Sequence, residues 1–523
     1  MRARPTRRRP ATTSGAAVAL ALGLGLALGL GPAPALAHEG DGDVATNTRG
    51  ARVATAGTGE RMSFVANLQY DRSGEAQQGS DIEFARIGGR DYALAGTLGK
   101  GLQIIDVTRP RTPKRVAVFD CDISQGDVQV WRHRHRVLAS YTADGSVGAA
   151  GAASQCGQDL ELAADDAGTV ILDLTVPSRP RSVSWISVPE GSHNMTIHPS
   201  GRYLYNSNSD LLTTGAEPEV AIFDVSVPSR PRKVQDYRLP FVPTSLGSES
   251  HDVTFDRTGD RAYVAALSQT LVLDTSDPAR PRQVGQIVDP AVNVVHQADP
   301  FSVRRADGSW RRLLIVTDER AGAAASLECP GGGLHVYDVT GGLERNPVKL
   351  GAWFIDAFTV QDGATCTSHV LRVYPQQQML TIAWYAQGVR VLDISGLATA
   401  TGGPTTLAFG DGIGMREVGS FAFADSDTWS FKTNRINRDG SFFGYGNDLV
   451  RGFDVYRFRG LADRRVPALV PRDLRPPKPR RTTAAALAPV AVLVPSAAVA
   501  LWLRRRQKVC SGPGKVPART SSA

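Results

Sequence analysis

The chain has 523 residues, with 59 Lys and Arg against 51 Asp and Glu. That length allows one large core or several domains. The positive excess sits at the ends: residues 1–37 and 461–523 hold 18 basic and 2 acidic residues, while residues 38–460 hold 41 and 49. A mildly acidic body lacks the basic face that nucleic acid requires, so that class of partner is excluded.

Residues 1–37 carry Arg2, Arg4, Arg7, Arg8 and Arg9, then an Ala/Leu/Gly stretch, then APALA before His38. This is the pattern of a secretory signal peptide cut after Ala37. Residues 38–60 are small and polar and read as a disordered leader.

From residue 61 a unit recurs. GLQIIDVTRPRTPKRVAVFD (101–120) holds a β-branched run with one acid, Asp106, a Pro-rich turn and a second short apolar run. Such runs fit a pleated surface, and the prolines interrupt the ladder, so the unit reads strand, turn, strand. Related copies centre on Asp173, Asp224, Asp274, Asp338, Asp393 and Asp454, at spacings of 50 to 67 residues. In the copy around Asp274 four strands are plain: HDVTF (251–255), RAYVAAL (261–267), TLVLD (270–274) and RQVGQIV (282–288). Four-stranded units repeated at this period predict an all-β seven-bladed β-propeller over residues 61–460. An open solenoid is the alternative.

Seven first-to-third strand sets are followed by only six fourth strands. The spare strand MSFVANLQY (62–70) precedes the first set. It is expected to complete the last blade and close the ring, which removes exposed edges.

Residues 461–483 are Pro-rich and basic and read as a semi-rigid stalk. Residues 484–503 contain no charge and are followed by Arg504, Arg505, Arg506 and Lys508. Twenty apolar residues with a basic flank predict a C-terminal transmembrane helix with residues 504–523 as a cytoplasmic tail. The propeller is then exported, anchored on the extracytoplasmic face of the membrane, and monomeric.

Cys121, Cys156, Cys329 and Cys366 lie in the exported body. Four cysteines in an oxidising compartment predict two disulfides, and Cys121–Cys156 with Cys329–Cys366 is the sequence-nearest pairing.

One column in the repeats carries candidate chemistry. The first strands open with SD (80–81), GD (126–127), SHN (192–194), SHD (250–252), VHQ (295–297) and SHV (368–370). His193, His251, His296 and His369 therefore occupy one equivalent position in successive blades. Beside them stand Asp81, Asp127, Asn194 and Asp252. Innermost strands start around the central channel, so the column converges on the axis. Gathered imidazoles are ligands for copper, zinc or iron, with carboxylates to orient them. The alternative is structural: each ring bonds the backbone of its neighbouring blade. Second-to-third strand loops carrying Asp210, Asp318 and Glu319 are expected on the same rim. That rim is the one expected to function. The opposite rim carries turns such as DRTGD, which turn chemistry explains.

Other motifs fail. GTLGKG (96–101) has neither P-loop spacing nor its Ser/Thr, and no GxSxG elbow is present. Ser250, His251 and Asp252 are adjacent on a strand, where side chains point apart, so they form no triad. Trp353, Trp384, Trp429 and Tyr385 are expected to pack blade against blade.

The runs LQIIDV, VILDLT, VAIFDV and LVLDTS, each before a Pro/Arg turn, resemble the LVIVD repeat of bacterial surface proteins. The resemblance covers about residues 62–456, with looser copies at Asp338, Asp393 and Asp454. It implies a β-propeller in a cell-surface setting and no particular reaction. The residues favour a surface binding or scaffold module for a protein or a cell-wall or matrix component. A metal-dependent extracytoplasmic enzyme, oxidoreductase-like and built on the histidine column, is the alternative.

Overall fold

The structure, a computed structural model, describes residues 54–474 apart from 55, 72, 209–217, 244–246, 321–328, 357 and 359–364. Its strands form a seven-bladed propeller. Blade 1 runs from the axis outward as Gly79–Ile87, Arg90–Thr97, Leu102–Asp106 and Lys114–Phe119. The innermost strands of blades 2 to 7 are Gln125–His133, Asn194–Ile197, Asp252–Phe255, Val295–Arg304, Leu371–Tyr374 and Thr428–Lys432.

The repeat is legible in blade 1. Leu102 and Ile104 pack toward blade 2, while Ile105 packs toward blade 7, as strand alternation requires. Every pair of successive blades encloses an apolar cluster of this kind. Each fully buried Leu or Ile contributes about 1.5–3 kcal/mol.

The repeated acid has a local task. Asp106, Asp173, Asp224, Asp274, Asp338 and Asp393 each accept the backbone N–H of the residue two positions on. This Asx turn ends the third strand. The same carboxylates pair with Arg90, Arg136, Arg202, Arg261, Arg311 and Arg464. Asp454 departs from the pattern: it is fully buried and bonds Arg451 Nε at 2.6 Å. Glycine precedes the third strand where space demands it. A Cβ on Gly101 (φ 69°) would lie 2.4 Å from the Phe119 carbonyl, and one on Gly388 (φ 69°) 2.2 Å from that of Phe421.

The ring closes as expected. Met62–Leu68 pairs antiparallel with Gly452–Phe458, placing Met62 opposite Phe458 and Leu68 opposite Phe453. Tyr70 then packs with Ile82 and Ile105 of blade 1 and Phe453 of blade 7. Both disulfides are present in the expected pairing. Cys121–Cys156 ties two short helices, Gly148–Ala153 and Gln155–Leu160, to the end of blade 1.

Two segments differ from expectation. Residues 57–60, read as disordered leader, form a strand on the outer edge of blade 6 against Met415–Phe423. Gly57 and Gly59 lie against the Phe421 ring, where a Cβ would come within 2.5 Å. The small residues that suggested disorder are those the close contact needs. Residues 461–474, read as the start of a free stalk, lie across the propeller. Arg464 pairs with Asp393 of blade 6, Leu469 exchanges backbone hydrogen bonds with Ile436 of blade 7, and Asp473 accepts from Gly88 and Gly89 of blade 1.

Among the described residues no helix is long and apolar enough to cross a membrane. The expected signal peptide (1–37), the rest of the stalk (475–483), the apolar segment 484–503 and the tail 504–523 lie outside the described residues.

Candidate functional site

The histidine column is placed by the second strands of the blades. His193 N–H donates to Ser207 O at 2.9 Å, His251 N–H to Ala265 O at 2.7 Å and His369 N–H to Ala383 O at 3.1 Å. The serine before each of these histidines bonds into the blades. Ser192 Oγ donates to Asn206, Ser250 Oγ meets Ser207 Oγ at 2.7 Å, and Ser368 Oγ donates to the Asp318 carbonyl at 2.9 Å. Alternation along the strand then turns the histidine to the axis.

The four imidazoles meet. Ring centroids are 4.2 Å apart for His193 and His251, 4.2 Å for His251 and His296, and 4.4 Å for His296 and His369. His193 Nε2 and His251 Nε2 are 3.0 Å apart. All four rings are buried. At one end Asp144 Oδ1 lies 2.8 Å from His193 Nδ1. At the other, His369 Nδ1 lies 2.6 Å from the Trp429 carbonyl.

Glu319 enters from the loop after the second strand of blade 5. Its carboxylate oxygens lie 3.6 Å from His296 Nε2 and 3.4 Å from His369 Nε2. The Tyr385 hydroxyl donates to Glu319 Oε1 at 2.6 Å, and the Tyr385 ring packs on His369. One donor atom each from His251, His296 and Glu319 lie within 4.8 Å of one another.

A cavity of about 420 Å³ runs along the channel, with His251 and His296 in its lining. Its lining extends to Pro199, Arg257 and Pro375, in the turns after the innermost strands. Arg257 is exposed. The cavity therefore reaches the histidines from the rim where the strands end. The rim expected to function was the one where they begin, and turn chemistry alone does not account for the other.

The neighbouring column is partly structural. Asp127 Oδ2 accepts Met195 N–H at 3.1 Å, and Asn194 Nδ2 donates to the His251 carbonyl at 3.0 Å, each reaching the next blade. Asp81 binds Lys432 Nζ at 2.6 Å, and Arg372 pairs with Glu83. Burial, then the Asp81 charge, pushes the Asp127 carboxyl well up. Burial, reinforced by Asp299, raises Asp252 to about 7. Burial also raises Asp81 against the pull of Lys432. For Glu83 burial is outweighed by Arg372 and Lys432, which hold its carboxyl below the usual range.

The remaining candidates separate. Asp318 turns away from the axis: its Oδ1 accepts Asn293 N–H at 2.8 Å and Val294 N–H at 2.9 Å, fixing the entry to blade 5. Asp210 lies outside the described residues. Cys121, Cys156, Cys329 and Cys366 are all in disulfides.

Sequence reasoning missed several members. Glu83, Asp299, Arg372 and Lys432 sit two residues beyond the neighbouring column on their strands and line the same cavity. Period-two alternation would have found them. Asp144 carried no signal, because its position follows from the pairing of the second strand. Trp353 and Trp384 do pack blade on blade, with centroids 6.2 Å apart. Tyr385 of blade 6 and Trp429 of blade 7 also pack on each other, with centroids 6.4 Å apart, and both lie against His369.

Fold and site together define a seven-bladed β-propeller of four-stranded blades with a polar central channel. No protein-family model and no curated protein matches the chain in sequence. Solved structures resemble it at low identity. One is a periplasmic gluconolactonase of Pseudomonas aeruginosa, 13% identical over 74% of this chain and 97% of that one, TM-score 0.47. Another is the β-propeller domain of Cps50 (Swd1) from Myceliophteria thermophila, 10% identical over 72% and 96%, TM-score 0.44. A third is a functionally unknown protein from Desulfotomaculum acetoxidans, 14% identical over 62% and 87%, TM-score 0.40. At these levels the likeness carries no argument about activity.

Proposed function

We propose that the chain is an exported cell-surface propeller of the LVIVD-repeat type, anchored by residues 484–503, that binds a protein or a cell-wall or matrix component. The binding site in this reading is the central channel, which takes a small polar group of that component. The observation that carries it is the cavity of about 420 Å³, whose lining includes Asp127, Asp252 and Asp299. Carboxylates kept in a buried channel destabilise the fold, as their raised pKa values indicate, and such costs cluster at functional positions.

The second reading is an extracytoplasmic metal-dependent oxidoreductase using the same channel. The convergence of His193, His251, His296 and His369 favours it.

The test uses the purified full-length chain in detergent and co-sedimentation with isolated wall sacculi. Thr254 lines the cavity, and Thr254→Trp fills it. Sedimentation of the wild type that is lost in Thr254→Trp supports the channel reading. Absence of sedimentation, or sedimentation unchanged by the tryptophan, refutes it.

A further inference from the structure

The inner end of the channel gathers four imidazoles and the Glu319 carboxylate. Two hydrogen bonds fix how those groups are presented. A backbone carbonyl only accepts, so the Trp429 carbonyl requires a proton on His369 Nδ1. His369 Nε2 then points at the Glu319 carboxylate. Asp144 sets His193 in the same way through its Nδ1. These acceptors fix the two outer rings, against which His251 and His296 pack.

The Nε2 atoms face inward. His369 Nε2 is 3.4 Å from Glu319 Oε1, and His193 Nε2 is 3.0 Å from His251 Nε2. At a metal–nitrogen distance of about 2.0–2.1 Å, two ligands on a tetrahedral ion stand about 3.3 Å apart. Between His296 Nε2 and a Glu319 carboxylate oxygen the separation is 3.6 Å, close to that edge, and a donor atom of His251 lies within 4.8 Å of both residues' donor atoms.

We propose that the inner end of the channel binds one divalent transition-metal ion through His251, His296 and Glu319, flanked by His193 and His369. The inference deepens the channel reading by naming what sits at its inner end. The donor set is imidazole with one carboxylate and no thiolate, which suits zinc, copper or iron and not magnesium or calcium. His251 and His296 line the cavity while Glu319 approaches from blade 5, so the ion keeps a face toward the channel. Gln125 supports that face. Its Oε1 is buried without a hydrogen-bond partner, and its Nε2 lies 3.3 Å from His193 Nε2. Tyr385 acts as a positioning residue through its bond to Glu319.

Protons are the competing occupants, since an imidazolium beside Glu319 would satisfy the same distances. Cobalt(II) separates the two. The full-length chain, stripped with chelator, is titrated with cobalt(II) at pH 7.5 and followed by its visible d–d bands and by bound metal per chain. The expected result is one ion per chain, lost in the double variant His251→Ala/His296→Ala and retained in His133→Ala/His135→Ala. Tyr385→Phe removes only the hydroxyl and is expected to weaken binding by about 10- to 100-fold. Glu319→Gln, close in shape, replaces the double variant if that one fails to fold. A chain that takes up no cobalt, or binds it equally well in Glu319→Gln and Tyr385→Phe, overturns the proposal. Metal binding that survives Thr254→Trp while wall binding fails to depend on the channel would refute the ligand reading alone. Wall binding without metal would refute the ion alone.

Discussion

Replacing Asp252 by Asn tests whether the channel acids are kept at the expense of stability. Burial, then the Asp299 charge, holds this carboxyl at about 7 in the fold, against an ordinary value of 3.8. Asp81 also pushes it up, and Lys432 pulls it down. The unfolded chain loses the proton near pH 4 and the folded one near pH 7. Between those values the native state holds the extra proton, so stability falls as pH rises. Above pH 7 both states are ionised and the full cost is present. Three pK units correspond to about 4 kcal/mol at most. In a propeller of this size that is about 4–8 °C in unfolding midpoint, at about 1–2 °C per kcal/mol. Asn keeps the shape and the acceptor for Val253 N–H, which Asp252 Oδ1 now takes at 2.7 Å. The assay is thermal unfolding of wild type and Asp252→Asn from pH 4.5 to 8.5. The variant should be the more stable, with a gap that widens to pH 7 and is flat beyond. A gap that is constant with pH, or a variant less stable throughout, would refute the reasoning.

Arg451→Met should cost about 3–5 kcal/mol, because it leaves Asp454 buried without its cation; Arg451 is fully buried and binds Asp454 and Asp425. Thermal unfolding checks it, and Asp454→Asn added to Arg451→Met should recover part of the loss. Replacing Cys121 and Cys156 by Ala opens a loop of 35 residues. The chain-entropy estimate for that is roughly 4 kcal/mol. A midpoint unchanged by the double replacement would show that the blade 1 connection is braced by packing alone.

The propeller was legible because one local solution is written repeatedly. Asp106, Asp173 and Asp224 each close the same turn, so the same letters return at each blade. The strand in excess at Met62–Leu68 forced the closure. The histidine column was legible for the same reason: a repeat puts equivalent letters at equivalent places. What lay beyond was set by contacts between non-equivalent positions. Glu319 was expected near the histidines, but its bond to Tyr385, from a loop of blade 6, was not, nor was Asp144, from the end of a long second strand in blade 2. No periodicity links them. Nor could spacing tell which rim the cavity faces. The polar strand at 57–60 was hidden because its affinity lies in backbone hydrogen bonds and the fit of glycine over Phe421.

The segment 461–474 also decides how the ring meets mechanical load. A pull on the chain beyond residue 474 falls first on blade 1, through Asp473 and the Leu474 N–H bonded to Arg86 O. It next reaches the contact of Leu469 with Ile436, and then Arg464 on Asp393. Only after these give way does tension arrive at Gly452–Phe458, the strand that holds the N-terminal Met62–Leu68. The seam where the two ends of the chain meet is thus the last part to be stressed, and a tethered molecule would shed its latch before its ring opened.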